Sequence, residues 1–426
     1  MRLSRFFLPL LKEVPREANT ASHKLMLRAG MIRQQSAGIY SWLPLGLMIL
    51  KNVANIIRNS MDHHGMIEML APCVQNADLW TESGRIDAYG KEMLRFADRH
   101  NNPMLFGPTA EEMITSVFKD CVKSYKELPK ILYNIQWKFR DEIRPRFGVL
   151  RSREFLMKDA YSFDIDKKSA IESYNMVYDA YFEAFNAMGL KVIPVVADTG
   201  PIGGDLSHEF HIMAPSGESR IYYDEKFEST TDAKIAKTLY AAAEEKHDPK
   251  NSASHIKSGT SIEIGHIFYF GTKYTVPMKA FVINREGRSV PVEMGSYGIG
   301  ISRVVAAIIE ASHDERGIIW PDNIAPFNIS LINLHINDTA AVEYCDTLYN
   351  NILTSCGLKV LYDDTNERPG VKFATHDLIG SPRQIIVNKD KLLDGVVEIK
   401  NRRTNLSQTL SIDALSEAIK LNILCD

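Results

Sequence analysis

The sequence predicts a mixed helix-and-strand protein in two parts, an N-terminal region built around an antiparallel hairpin and a compact C-terminal α/β domain. Three observations predict this. Between Ile131 and Phe163, two runs of apolar–polar alternation flank a polar loop, the pattern of paired strands. After Asn323-Ile324-Ala325-Pro326, strands alternate with helices for about 100 residues, as in a small α/β domain. A length of 426 residues accommodates two or three domains.

The elements follow in order. Residues 1 to about 222 mix helices and strands, and Leu47, Leu50, Val53, Ala54, Ile57 and Met61 share one helical face. Residues 224–258 are polar, with a helix expected around Ala233 to Ala243. Residues 259–324 return to strands: Val290 to Met294 reads as a strand, Gly295 to Gly300 as a glycine-rich turn, and Ile301 to Glu310 as a buried helix. Beyond the boundary the pattern is strand Asn328–Leu334, helix Thr339–Cys356, strand Lys359–Tyr362, helix Val371–Ile379, strands Gln384–Val387 and Gly395–Lys400, and helix Ile412–Asn422.

Composition narrows the function classes. Apolar residues make up 45% and charged residues 24%, ordinary for a globular protein. A formal charge of -3 argues against a surface coated with basic residues, although a local basic strip is enough to bind phosphates. The 5 cysteines are scattered, with no C-x-x-C pair, so neither a disulfide framework nor a cysteine zinc site is expected, and a cytoplasmic location is. The apolar run from Phe6 to Leu11 is short and broken by Pro9, and no stretch has the length of a membrane span.

The chemistry concentrates in the hairpin. Ile131, Tyr133, Ile135, Trp137 and Phe139 fall on one face of the first strand, and Asn134, Gln136, Lys138, Arg140 and Glu142 on the other. A loop with Arg144, Pro145, Arg146 and Gly148 leads to a second strand from Leu150 to Phe163, where Arg151, Arg153, Phe155, Met157 and Asp159 share a face. Antiparallel pairing sets this row opposite Arg140 and Glu142. Guanidiniums, a carboxylate and a ring on one sheet face are costly without partners, but they suit a nucleotide: arginine for phosphate, a ring for the base, a carboxylate for metal or the base edge. An exposed face carrying surface ion pairs is the plainer reading of the same pattern. A second phosphate signal is Gly298-x-Gly300 entering a helix with Arg303 in its first turn. The third glycine of a dinucleotide fingerprint is absent and Arg303 stands in its place.

These residues resemble a known family. Phe139-Arg140-Asp141-Glu142 with Arg151-Ser152-Arg153-Glu154-Phe155 resembles motif 2 of the class II aminoacyl-tRNA synthetases, and Gly298 to Arg303 resembles their motif 3. Gly38 to Pro72, a long helix and a strand ending in proline, resembles motif 1, which forms the dimer interface in that family. Gly107-Pro108-Thr109-Ala110-Glu111-Glu112, Thr260-Ser261 and Gly265-His266-Ile267-Phe268 resemble the proline-pocket loops of prolyl-tRNA synthetases. Glu367 to Lys372, with Asp377 and Gly380, resembles the anticodon-binding domain of class IIa enzymes.

The resemblance covers almost the whole chain. It implies an α+β catalytic domain, an antiparallel sheet flanked by helices, over residues 1–324, and an α/β anticodon-binding domain over 327–426. Typical bacterial members carry a large editing domain between motifs 2 and 3. Here only the polar segment 224–258 stands in that interval, so no editing in cis is expected and a separate protein is expected to clear alanine errors.

The resemblance also implies roles: Arg140 bridges the substrate carboxylate and the α-phosphate, Arg151 and Arg303 hold the outer phosphates of ATP, Phe155 stacks on adenine and Glu142 meets its edge. Thr109 and Glu111 receive the prolyl amine, Met157 and Phe268 wall the ring, and Asp159 and Thr260 are further candidates. His208 and His266 are read as histidines satisfied by local packing. ATP is a substrate accompanied by Mg²⁺; no protein-only metal site and no zinc are expected. tRNA(Pro), L-proline and a second copy of the chain, through Gly38–Pro72, are the implied partners. A threonyl enzyme would need a Cys/His/His zinc set that Cys73 and Cys121 do not supply. A catalytically dead paralogue would have lost the motif arginines, and Arg140, Arg151 and Arg303 are all present.

Overall fold

The computed structural model describes residues 1–16, 18–199, 204, 206–251, 255–353 and 357–420. They divide into two compact units, one of residues 36–39 and 53–307, the other of residues 1–35, 40–52 and 308–426.

The first unit is organised by a nine-stranded sheet. Its order is Leu206–Met213, Val192–Val196, Ala241–Ala243, Ser219–Asp224, Ile256–Gly271, Glu293–Gly300, Glu154–Asp164, Lys130–Phe139 and Ile67–Glu68. Two of these pairings are parallel, between Ala242 and Val196 and at Ile67–Leu132; the others are antiparallel.

Register fixes which side chains share a face. Phe155 pairs with Lys138, Met157 with Gln136 and Gly300, Asp159 with Asn134 and Gly298, and Tyr161 with Ser296. His266 then lies opposite Gly298, and Phe268 opposite Ser296. This face carries the chemistry. The helix Lys167–Ala187 covers the other face, where the Tyr181 hydroxyl accepts from Lys158 Nζ at 3.0 Å and Ser169 and Ser173 each donate to Asp164 at 2.8 Å. Burial pushes the Lys158 ammonium down to about 7, with only Asp159 opposing the shift. A second apolar layer of Phe118, Phe163, Tyr274 and Met294 packs nearby, and the rings of Phe118 and Phe163 stack at 4.0 Å.

Five expectations are corrected. The first hairpin strand ends at Phe139, so Arg140 and Glu142 lie beyond it. The second begins at Glu154, after a 3₁₀ turn at Gly148–Leu150. Alternation therefore does not extend to Arg153, which turns over the Phe139 ring and pairs with Asp141.

Gly295–Gly300 is not a turn. It is a central strand, Glu293–Gly300, running directly into the helix Ile301–Ala311. The glycines serve proximity: a Cβ at Gly298 would lie 2.4 Å from Met157 Cε, and one at Gly295 2.2 Å from the Tyr297 hydroxyl. The expected helix at Ala233–Ala243 is one turn, Ala233–Ala236, followed by the sheet strand Ala241–Ala243. The helix expected over Thr339–Cys356 is α-helical over Thr339–Thr347 and widens to a π turn at Leu348–Leu353, and its last residues lie outside the described ones.

The helix Pro44–His63 buries Leu50, Val53, Ala54, Ile57 and Met61, while Leu47 is exposed. The second unit contains a five-stranded sheet ordered Val360–Asp363, Ile329–Asn333, Arg383–Val387, Val396–Asn401 and Ser407–Ser411. The first three strands are mutually parallel and the last two antiparallel. The edge strand Ser407–Ser411 and the helix Lys389–Leu393 carry too little apolar periodicity to stand out in the sequence.

Candidate active site

Two adjoining clefts open on the chemistry-bearing face, and Glu142, Leu150, Arg151, Glu263 and Arg303 line both. Phe155, Met157, His266, Gly298 and Gly300 line the inner one. The strand-to-helix junction at Gly300 delivers Arg303, whose Nε donates to Leu150 O at 3.0 Å and whose Nη1 donates to Glu263 O at 3.1 Å. Arg151 donates to Glu142 at 3.0 and 3.1 Å and stands 3.4 Å from Glu218, so its guanidinium is held between two carboxylates. Arg146 also pairs with Glu218. Arg140 lies deeper, its Nε donating to Pro108 O at 3.3 Å and its guanidinium 5.4 Å from the Phe155 ring centre. Arg140 and Glu142 are thus separated by role rather than projecting side by side.

Thr109 and Glu111 come together as expected. Thr109 Oγ1 donates to Glu111 Oε2 at 2.6 Å, and both residues are buried. Glu111 Oε1 accepts from Ser296 Oγ at 3.0 Å. The Tyr161 hydroxyl donates to Asp159 at 2.6 Å and accepts from Ala110 N at 2.9 Å. Asp159 also takes Lys138 Nζ at 3.0 Å and Asn134 Nδ2 at 2.7 Å. It therefore reaches the Thr109 loop only through Tyr161.

Phe268 sits beside Ser296 in the sheet and belongs to this neighbourhood. Thr260 does not. Eight residues of extended strand separate it from Phe268, about 26 Å at the usual rise. Its hydroxyl donates to Ala214 O at 3.0 Å.

His208 is half-buried, with its ring on the Tyr174 hydroxyl at 2.7 Å, and desolvation pushes its pKa down to about 4. His266, by contrast, is part of the cleft wall: its ring stacks on Phe268 at 3.7 Å, and Nδ1 lies 3.3 Å from Glu263. Burial disfavours the Glu263 charge, but hydrogen bonding to His266 and the nearby Arg303 hold its carboxyl well below the usual value. Glu209, Glu263 and His266 hold ligand atoms within 4.8 Å of one another.

Sequence reasoning missed several participants. Ser296 and Glu263 lie inside segments already singled out, so their strand parity was the available signal. Arg85 and Gln75 had none. Arg85 Nη1 reaches Glu111 at 3.2 Å and Glu112 at 3.0 Å. Burial alone would raise the Glu111 acid pKa, but Arg85 and Thr109 hold it below the ordinary value; burial pushes Glu112 up. Gln75 Nε2 donates to Thr109 O at 3.0 Å.

A Cβ at Gly107 would lie 2.3 Å from Gln75 Nε2. Gly107→Ala is therefore expected to push Gln75 off Thr109 and loosen the loop that carries the Thr109–Glu111 pair.

Comparisons with known proteins identify the family. The family model of the class II tRNA synthetase core domain (G, H, P, S and T) matches residues 94–312, and an anticodon-binding domain model matches 328–422. The "Proline--tRNA ligase" of Rickettsia bellii (strain OSU 85-389) is 59% identical over 420 residues, covering 97% of each chain. The chain belongs to the prolyl-tRNA synthetase family. That of Rickettsia africae (strain ESF-5) is 58% identical over 427 residues, 98% of this chain and 100% of that one. As a prolyl-tRNA synthetase family member the chain is a ligase of the class II aminoacyl-tRNA synthetases, built as a class II core with an anticodon-binding domain.

Solved structures share the fold. Prolyl-tRNA synthetase from Cryptosporidium parvum, complexed with L-proline and AMP, has a TM-score of 0.74 at 15% identity, covering 95% of this chain and 76% of that one. The Giardia lamblia enzyme in complex with prolyl-adenylate gives 0.76 at 19% identity, with 92% and 73% covered.

Proposed function

We propose that this chain activates L-proline with ATP and then transfers the prolyl group to the 3′ end of tRNA(Pro). A proline carboxylate oxygen attacks the α-phosphorus, the bond to the β-phosphate oxygen breaks, and pyrophosphate leaves. A terminal ribose hydroxyl of the tRNA then attacks the prolyl carbonyl and expels AMP. Such chemistry rests on positioning and charge neutralisation.

The observation that carries the reading is the buried Thr109–Glu111 pair next to Arg140, which holds Pro108 O, with Arg303 lining the adjoining cleft beside Phe155 and Met157. Thr109 and Glu111 take the secondary ammonium. Arg140 holds the carboxylate and α-phosphate, while Arg151 and Arg303 hold the outer phosphates. Phe155 lies under adenine, with Glu142 at its edge. Met157 and Phe268 wall the proline ring.

Magnesium prefers oxygen ligands and uses one or two carboxylates with substrate phosphates. Glu209 and Glu263 fit that need, and His266 does not. When bound, the ion would neutralise charge on the departing pyrophosphate.

Residues 1–324 are the proposed catalytic domain and 327–426 the anticodon-binding domain. The described part of segment 224–258 contributes a strand to the catalytic sheet, which supports the absence of cis editing; clearance of alanyl errors by a separate protein is part of the same proposal. A homodimer through Gly38–Pro72 and a cytoplasmic location complete the reading; among the described residues no helix is long and apolar enough to cross a membrane.

Amino-acid-dependent ATP–pyrophosphate exchange tests it. Strong exchange with proline, weaker with alanine and none with threonine is expected, because small apolar differences discriminate weakly. Arg303→Ala is expected to lower proline exchange about a hundredfold. Exchange with threonine alone would overturn the substrate assignment, and full activity of the variant would overturn the phosphate assignment.

A further inference from the structure

Arg85 lies outside every family-like motif, yet it is built into the amino-acid site. Its side chain is only 11% exposed. Its guanidinium lies 4.8 Å from the Trp80 ring centre, 5.6 Å from Tyr89 and 5.1 Å from Tyr274. Trp80 is in turn anchored through its indole N–H to Gln75 at 2.9 Å, the side chain that holds Thr109 O. This aromatic cage leaves the guanidinium little freedom. It directs one nitrogen, Nη1, to both Glu111 Oε2 and Glu112 Oε1.

The consequence lies in hydrogen-bond counting. A carboxylate has about four acceptor directions. On Glu111, Oε2 takes Thr109 and Arg85, Oε1 takes Ser296, and the residue's own backbone N–H also bonds the carboxylate, so Arg85 holds a direction that would otherwise be open. The Thr109 hydroxyl gives its hydrogen to Glu111. One of its lone pairs faces the Tyr161 oxygen at 3.2 Å, whose own hydrogen goes to Asp159. One acceptor direction on Thr109 is left.

We propose that Arg85 is a positioning residue that sets amine selectivity: by occupying Glu111 Oε2 it lowers by one the acceptors open to an ammonium, which favours the two N–H bonds of a secondary ammonium over the three of a primary one. A third N–H brought into this buried site loses its water without gaining a partner. Arg85 touches no substrate; it acts by limiting what Glu111 offers. Glu112 competes for the same nitrogen, and its Oε2 is buried without a hydrogen-bond partner. The inference rests on the proposed reading that Glu111 receives the prolyl amine.

The test is pyrophosphate exchange with proline and with alanine, on the full chain. Arg85→Lys keeps the charge but loses the fork and the cage fit. It is expected to lower kcat/KM for proline about tenfold while leaving alanine within about twofold, so that the proline-to-alanine ratio falls at an unchanged ATP KM. The double variant R85K/E112Q removes the competing carboxylate, returns the single cation to Glu111 and is expected to recover most of the ratio. Equal losses for both amino acids, or no recovery in the double variant, would overturn the proposal. Should Arg85→Lys fail to fold, Glu112→Gln alone decides: the ratio is expected to hold or rise, and a fall sinks the idea. Glu111→Gln separates the two levels of argument. If it leaves proline exchange intact, the amine site itself is wrong. If it abolishes exchange while Arg85→Lys affects both amino acids alike, only the selectivity role fails.

Discussion

Arg140→Ala is expected to lower kcat/KM for proline-dependent exchange by about a thousandfold, at the upper end of what removing one preorganised donor costs. The position explains the size. Desolvation disfavours the Arg140 charge, and Tyr89 and the carboxylates of Glu111, Glu263 and Glu92 outweigh it, so the guanidinium stays firmly charged. Its protein hydrogen bond to Pro108 O, at 3.3 Å, is long, and its other donors remain for a carboxylate and a phosphate. The ring of Phe155 supports it from one side. Arg140→Lys keeps the charge without the bidentate fork and is expected to recover about one order of magnitude. Thermal melting should move little, because the side chain is charge-compensated from several directions rather than by one buried partner. A loss below tenfold in Arg140→Ala, with the fold intact, would remove Arg140 from the reaction.

The site's residue types were legible in the sequence wherever a strand ran undisturbed. From Phe155 to Asp159, period-two alternation alone places Phe155, Met157 and Asp159 on one face, and the register bears this out. Legibility failed where a strand began or ended. Arg151 and Arg153 precede the strand, so parity does not govern them, and Arg153 turns to the Phe139 ring. Glycine misled for a physical reason. Gly295, Gly298 and Gly300 resemble a turn because glycine tolerates left-handed backbone. None of the three has a positive φ, and Gly298 instead leaves room for the Met157 side chain at the wall of the inner cleft. Thr260 and Phe268 illustrate a different limit. Neighbourhood in sequence suggested one pocket, but a sixteen-residue strand, Ile256–Gly271, carries its two ends to different places. Arg85 marks the last limit: its partners Glu111 and Glu112 lie on the helix Glu111–Cys121, and nothing local in the sequence announces a contact set by tertiary packing.

In the second unit, Asp363→Asn is expected to destabilise the fold by about 3–5 kcal/mol, the cost of leaving a buried charge uncompensated. Asp363 is 1% exposed at the end of the strand Val360–Asp363. Its carboxylate accepts from Lys372 Nζ at 3.1 Å, pairs with His376 Nε2 at 3.0 Å, and takes the Thr365 hydroxyl at 2.6 Å. Lys372 and His376 are themselves buried on the helix Pro369–Ile379, so the amide would face two buried basic groups with no carboxylate to answer them. At about 2–4 °C per kcal/mol for a unit of this size, the corresponding transition should fall by roughly 10 °C.

The pH dependence follows from the same contacts. Burial opposes ionisation, but His376, Thr365 and Lys372 outweigh it and hold the Asp363 carboxyl far below the usual carboxylate range. A depressed folded pKa means that the stabilisation is fully present above the ordinary carboxylate value of about 3.9 and is lost as pH falls toward the folded value. Wild type and Asp363→Asn should therefore differ most in melting temperature near neutrality and converge on acidification. A constant difference across that range would assign the effect to packing instead.

The variant also separates the two proposed domains. The turn beyond Asp363 lines a cleft with His335, Asn337, Glu367 and Lys389 in the proposed anticodon-binding domain. Proline-dependent exchange, which needs no tRNA, should persist at 25 °C. The KM for tRNA in aminoacylation should rise, because the turn bearing Thr365 and Glu367 loses the Asp363 carboxylate that anchors it.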